Sequence, residues 1–234
     1  MGNILEQSLI SSYHIIFGFD DDQVLPVLTK GKMLEIGCAH GEFLGKMAAL
    51  AWSVEGIESS KEVGAQVFAA GFNVFCGPLE SVPFPKDRFN LAVGWMVIEH
   101  LHDSSLGLRK LLSCLRPGGW LAISIPNTTN FNLLLYKDKW FALQMPNHLY
   151  HFDRGIIISL FTKSGYRVRQ IFHHPSINVL SHSIQYILED LGMPSWLASS
   201  LMALLCIYFF YPFSWLLNAF AQSNSPHYSC PKRC

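Results

Sequence analysis

Two carboxylates and two glycines carry the first chemical signal in this 234-residue sequence. Leu34-Glu35-Ile36-Gly37-Cys38-Ala39-His40-Gly41-Glu42-Phe43 passes from an apolar run through a carboxylate and a glycine turn into helical periodicity. That order describes a strand–turn–helix junction at which backbone can approach a small ligand closely. Gly37 and Gly41 admit two readings there: room for the ligand, or close packing of helix on strand. Glu58 lies 21 residues beyond Gly37 and closes the next apolar run. A carboxylate at that strand end can accept both hydroxyls of a ribose. A nicotinamide cofactor would use the same carboxylate, but its fingerprint needs glycines at positions 39 and 42, where Ala39 and Glu42 stand. Hydride transfer is therefore disfavoured. His100, His148 and His151 form a second group, able to take up a proton near neutral pH or simply to pack.

These residues need a scaffold, and the periodicity supplies one. Apolar runs over 32–37, 53–58, 72–76, 89–96, 120–125 and 166–172 read as strands. Helical patterns over 41–51, 60–70, 104–115 and 152–163 alternate with them, and an amphipathic helix is expected over 4–17. Such alternation predicts an α/β, doubly wound, mostly parallel sheet with right-handed crossovers. Ligands then bind outside the carboxyl ends of the strands, where Gly37, Gly41 and Glu58 fall. The stretch 128–147 is long, aromatic and without clear period, as binding loops often are.

Composition narrows the field. Seventeen basic and seventeen acidic residues give no net charge, so no nucleic-acid footprint is visible. The first residues, with Glu6, lack the basic flank and apolar core of a secretory signal, and Glu6 also spoils the myristoylation pattern begun by Met1-Gly2. Six scattered cysteines form no disulfide or metal framework and fit a reduced, cytoplasmic setting.

With those features in place, Glu35-x-Gly37-x-Ala39-x-Gly41 resembles motif I of the class I S-adenosylmethionine-dependent methyltransferases, the small-molecule subgroup in particular. Further similarities follow in register: Cys76-Gly77-Pro78-Leu79-Glu80-Ser81-Val82-Pro83-Phe84, Phe89-Asn90-Leu91-Ala92-Val93 continuing into Ile98-Glu99-His100-Leu101, and Leu115-Arg116-Pro117-Gly118-Gly119. Pro146-Asn147-His148-Leu149-x-x-Phe152, with Phe161-x-x-x-Gly165-Tyr166, is similar to a substrate-side loop of one subgroup. The resemblance covers roughly 30–172.

It implies S-adenosylmethionine as cofactor, with Glu35, Gly37, Cys38, Ala39 and Gly41 holding the methionine end and Glu35 near its amino group. Glu58 would take the ribose hydroxyls, Leu79 and Glu80 would flank the adenine, and Trp95 and Met96 would line the pocket. Ala39 replaces a frequent Gly, Pro78 a frequent adenine-binding Asp, and Asn90 the usual Asp of the fourth strand. Methyl transfer needs in-line alignment and exclusion of water, and a hydroxyl acceptor also needs a base. His148, in the loop expected to face the strand ends, is the first candidate base and His100 the second. Glu99, His100, His102, His148 and His151 could supply metal ligands, but Met96 is no ligand for a hard cation and no metal is expected. The alternative is a methyltransferase-like protein that binds cofactor or partner without catalysis.

The C-terminal part is of another kind. No Asp, Glu, Lys or Arg occurs from Leu191 through Pro231. Residues 1–175 are expected to form the catalytic domain, 176–222 an apolar helical appendage and 223–234 a tail. Three readings of the appendage stand: helices lying on a membrane surface, a true span, or a soluble cap or dimer surface. The first implies a lipid-like or other apolar acceptor and a location at the inner face of a membrane. Methyltransferases of this fold usually finish with an antiparallel seventh strand, and residues 223–234 are too polar and proline-rich for one.

Overall fold

In a computed structural model, residues 12–17, 25, 28–126, 128, 133, 136–173 and 177–205 are described. Strands β1 (Ser12–Phe17), β2 (Lys32–Ile36), β3 (Ser53–Glu58), β4 (Asn73–Cys76), β5 (Phe89–Trp95), β6 (Leu115–Ser124) and β7 (Arg167–His173) form one sheet. Helices α1 (Glu42–Ala49), α2 (Lys61–Ala69), α3 (Ser104–Cys114) and α4 (Arg154–Lys163) connect them. The strand order is β4-β3-β2-β5-β6-β1-β7, and every pairing is parallel.

Parallel strands covered on both faces are largely apolar on both, and the alternation of their side chains shows it. Leu34, Ile36, Ala92, Leu121 and Ile123 enter one buried cluster with Leu108 and Leu111 of α3 and Ile157 and Phe161 of α4. Met33, Leu91, Val93 and Ala122 point the other way, to Leu44 and Met47 of α1 and Val67 of α2. Helix starts are capped as the sequence allows. The side chains of Ser60, Asp103 and Asp153 accept the N–H groups of Val63, Leu106 and Ile156 at 3.3, 2.8 and 2.7 Å.

Three expectations need correction. Residues 12–17 form a strand between β6 and β7 where a helix over 4–17 was expected, and 1–11 lie outside the described residues. Ile15, Ile16 and Phe17 are β-branched or aromatic, and a free slot in the sheet outweighs their weak helical pattern. The sheet consequently has seven strands, with the N-terminal strand inserted in parallel between β6 and the edge strand β7. The fifth predicted strand begins at Leu115, not Trp120: Leu115 pairs with Phe89, and a register shift absorbs Pro117-Gly118-Gly119 before Trp120 pairs with Leu91.

The chain divides into two compact units, 1–131 with 143–175, and 132–142 with 176–234. The second unit contains α5 (Ile177–Asp190) and α6 (Ser195–Leu205) with short 3-10 turns at Lys137–Lys139 and Phe141–Leu143. Within it, Gln185 Nε2 donates to Glu189 Oε1 and Ser199 Oγ, both at 3.0 Å, joining α5 to α6. The Phe141 N–H donates to Ser183 Oγ at 2.9 Å and its ring stacks on His182. Among the described residues no helix is long and apolar enough to cross a membrane, and 206–234 lie outside them.

Candidate functional site

β2 ends at Ile36, and the chain turns through three left-handed residues, Gly37, Ala39 and Gly41, at φ 68°, 44° and 80°. A Cβ on Gly37 would stand 2.7 Å from Val97 Cγ2, and one on Gly41 would stand 3.1 Å from Val67 Cγ1. Both glycines thus serve the turn's own backbone shape and its packing against Val97 and Val67. The N–H groups of Gly37 and Cys38 both donate to the Ile57 carbonyl, at 2.8 and 3.0 Å, which locks the turn to the end of β3.

Glu58, the last residue of β3, is built into the same turn. Its Oε2 accepts the Ala39 N–H at 3.0 Å, and its Oε1 accepts the Ser60 N–H at 2.9 Å. The Ser59 hydroxyl adds a longer, replaceable bond at 3.3 Å. A carboxylate has about four acceptor positions. Two go to backbone, so a half-exposed, oriented carboxylate keeps two for a vicinal diol. The Gly77 N–H donates to the Glu58 carbonyl at 2.9 Å, which brings the Leu79–Ser81 turn beside the end of β3.

The remaining residues of the predicted cofactor set behave differently from one another. Glu35 is buried, 3% exposed, on the α1 face of the sheet together with Val93 and Trp95. Trp95 packs edge-on against Phe43 of α1 at 5.2 Å, and its buried Nε1–H has no acceptor among the described residues. Cys38 is buried, and that burial, reinforced by the charges of Glu35 and Glu58, pushes its thiol up to about 12. It is a neutral neighbour of two carboxylates, not a nucleophile. Leu79 is buried and packs against Gly107 of α3, while Glu80 is half-buried. Asn90 sits at the start of β5, where its Oδ1 accepts the Lys32 N–H at 3.0 Å and fixes the beginning of β2.

Beyond β5 the chain passes through Met96, left-handed at φ 54°, whose N–H donates to the Ser124 carbonyl at 3.0 Å. Val97 then covers the Gly37 turn, and the 3-10 turn Ile98–His100 follows. A distant segment closes on this turn. The Glu99 carbonyl accepts the N–H groups of Leu149 and Tyr150 at 2.9 and 3.3 Å. Asn147 O lies 2.9 Å from His100 Nδ1, and the Tyr150 hydroxyl donates to the His102 carbonyl at 2.8 Å. His148 is thereby buried with its ring edge-on to His100, centroids 4.7 Å apart.

Glu99 completes the group. It is fully buried, neither carboxylate oxygen has a hydrogen-bond partner among the described residues, and burial pushes its carboxyl up to about 8. Ligand atoms of Glu99, His100 and His148 lie within 4.8 Å of one another, a spacing at which the three could hold a metal ion. His151 is drawn away toward the Leu143 carbonyl, 3.1 Å from its Nε2. The two histidines predicted as proton acceptors are thus brought together. Tyr150, which ties their two segments, was missed, because nothing local to Tyr150 signals a partner 48 residues away.

The turn thus carries one oriented carboxylate with acceptor capacity for a diol, Glu58, and a second, buried one, Glu35, behind it. Comparison with known proteins agrees. A family model described as a methyltransferase domain matches residues 22–171. The chain is similar to a probable S-adenosylmethionine-dependent methyltransferase of Mycolicibacterium smegmatis, 31% identical over 102 residues, 43% of this chain and 40% of the relative. It is also similar to a ubiquinone/menaquinone biosynthesis C-methyltransferase of Geotalea daltonii, 29% identical over 133 residues and 52% of each chain. It therefore spans about half the length of these curated relatives. An S-adenosylmethionine-dependent methyltransferase from Mesorhizobium loti shares the fold, with a TM-score of 0.51, 21% identity, and coverage of 60% of this chain and 76% of that one. The chain belongs to the methyltransferase-domain family, in its S-adenosylmethionine-dependent class.

Proposed function

We propose that this chain transfers a methyl group from S-adenosylmethionine to a small apolar acceptor. The observation that carries the proposal is Glu58, held at the end of β3 by the Ala39 and Ser60 N–H groups with acceptor capacity to spare. Glu58 binds the ribose diol, and Glu35 places negative charge behind the turn for the methionine ammonium. The cofactor supplies a sulfonium methyl that is already activated, since transfer leaves a neutral thioether. The protein's share is alignment and exclusion of water.

Acceptor handling falls to the paired segments 97–102 and 144–151. Where the nucleophile is a hydroxyl, its proton passes to His148 or His100. The adjacent Glu99 is held neutral by burial and does not oppose this with a second proton demand. Met145, Leu149 and Tyr150, exposed at 71%, 50% and 40%, give this rim an apolar character that favours an apolar acceptor. The name of the Geotalea relative, which concerns quinone biosynthesis, agrees with that choice.

Incubation with methyl-labelled S-adenosylmethionine and a lipid extract tests the proposal. Label in an extractable small molecule, with release of S-adenosylhomocysteine, is expected. His148→Ala should lower that release by about a hundredfold, the usual scale of a lost proton acceptor. Cofactor bound but never demethylated, with every extract fraction, would overturn catalysis in favour of a binding role.

A further inference from the structure

We propose that α6 is a docking face for the surface of a lipid bilayer, independently of what the methyl-transfer site does. The helix is apolar on two sides. Ala198 and Met202 are buried, at 0% and 3% exposure, and form its inner side. Trp196, Leu197, Leu201 and Leu204 are exposed at 71%, 41%, 38% and 53%. At 3.6 residues per turn these four share one face about 140° wide. Ser200 lies on that face, but its hydroxyl already donates to the Trp196 carbonyl at 2.7 Å, so covering the face strands no hydroxyl.

A helix with a buried apolar side and a second, exposed apolar face calls for a further apolar surface over the latter. Two observations favour a bilayer over a protein partner. Leu191 through Pro231 contain no charged side chain, and 206–217 add Tyr208, Phe209, Phe210, Tyr211, Phe213 and Trp215. Trp196 among leucines is also the composition that settles at the headgroup boundary. Eleven residues of helix are only about 16 Å long against a hydrocarbon layer of about 30 Å, so α6 lies along the surface and does not cross it. Basic residues are absent from the face, so attachment rests on apolar insertion and not on anionic headgroups.

The test uses the full chain and vesicles of phosphatidylcholine, which carry no net charge. Flotation of protein with these vesicles is expected, persisting at about 0.5 M salt, where charge attraction is screened within a few ångströms. Leu197→Asp combined with Leu201→Asp should lower the bound fraction at least about tenfold. The same variant should bind S-adenosylmethionine as the parent chain does, which shows that it is folded. As a conservative second probe, quenching of tryptophan fluorescence by brominated phosphatidylcholine should fall on Trp196→Phe while flotation remains. Flotation unchanged in the double-Asp variant, or no flotation of the parent chain, overturns the proposal. So does a vesicle-free dimer that the double-Asp variant dissociates, which would assign the face to a second copy.

Discussion

The two sides of the candidate site are held by different means. On the cofactor side, the Gly37–Gly41 turn and Glu58 interlock through backbone bonds between neighbouring strands, Gly37 and Cys38 to Ile57 and Ala39 to Glu58. The residues joined by these bonds lie within a 22-residue span of sequence, 37–58. On the acceptor side, four hydrogen bonds join 99–102 to 147–150, across 47 or more positions. One side is a rigid local motif; the other exists only when a long loop returns. The cofactor side should therefore respond to mutation through backbone strain and the acceptor side through loop closure.

The largest effect is expected from Gly37→Ala. A left-handed alanine and contact with Val97 together should cost about 3 kcal/mol, read as a shift in the denaturant midpoint. Adding Val97→Ala should recover the packing share and leave the backbone share. No recovery would mean that the Val97 contact is not what demands glycine.

Next is Glu99→Gln, measured with chelator present. The folded chain holds the Glu99 proton up to about 8, whereas an unfolded glutamate releases it near 4.5. Wild-type stability from this group is present below about 4.5 and is lost as pH rises through about 8. An amide does not titrate, so the melting temperature of the variant should gain on wild type across that window and level off above it. A gain that grows toward acid instead would contradict the buried neutral carboxyl.

Tyr150→Phe is the mildest. Loss of the bond to the His102 carbonyl should cost about 1 kcal/mol and raise exchange of the Leu149 and Tyr150 amides about fivefold. Cofactor affinity should stay where it was. A matched fall in affinity would show that the two sides are one cooperative unit.

The same contrast explains what could be read from the sequence. Glu58 and the glycine turn were readable because strand period, glycine positions and carboxylate spacing are local signals. That His100 meets His148 has no local signal, since no local rule fixes how a 20-residue loop closes. Sequence position puts Leu79 near a ligand, but no local rule says that its side chain packs in the core against Gly107. β1 was read as helix because its six residues carry no turn signal and its pairing partners, Trp120–Ser124 and Arg167–His173, lie more than a hundred residues away.

The most direct measurement is calorimetric titration of S-adenosylmethionine into the wild-type chain, Glu58→Gln and Glu58→Ala. Removing an oriented carboxylate from a diol should weaken binding by tenfold or more, about 1.5–3 kcal/mol, with the amide in between. Affinity equal in all three would contradict the assignment of Glu58, and with it the cofactor side of the site.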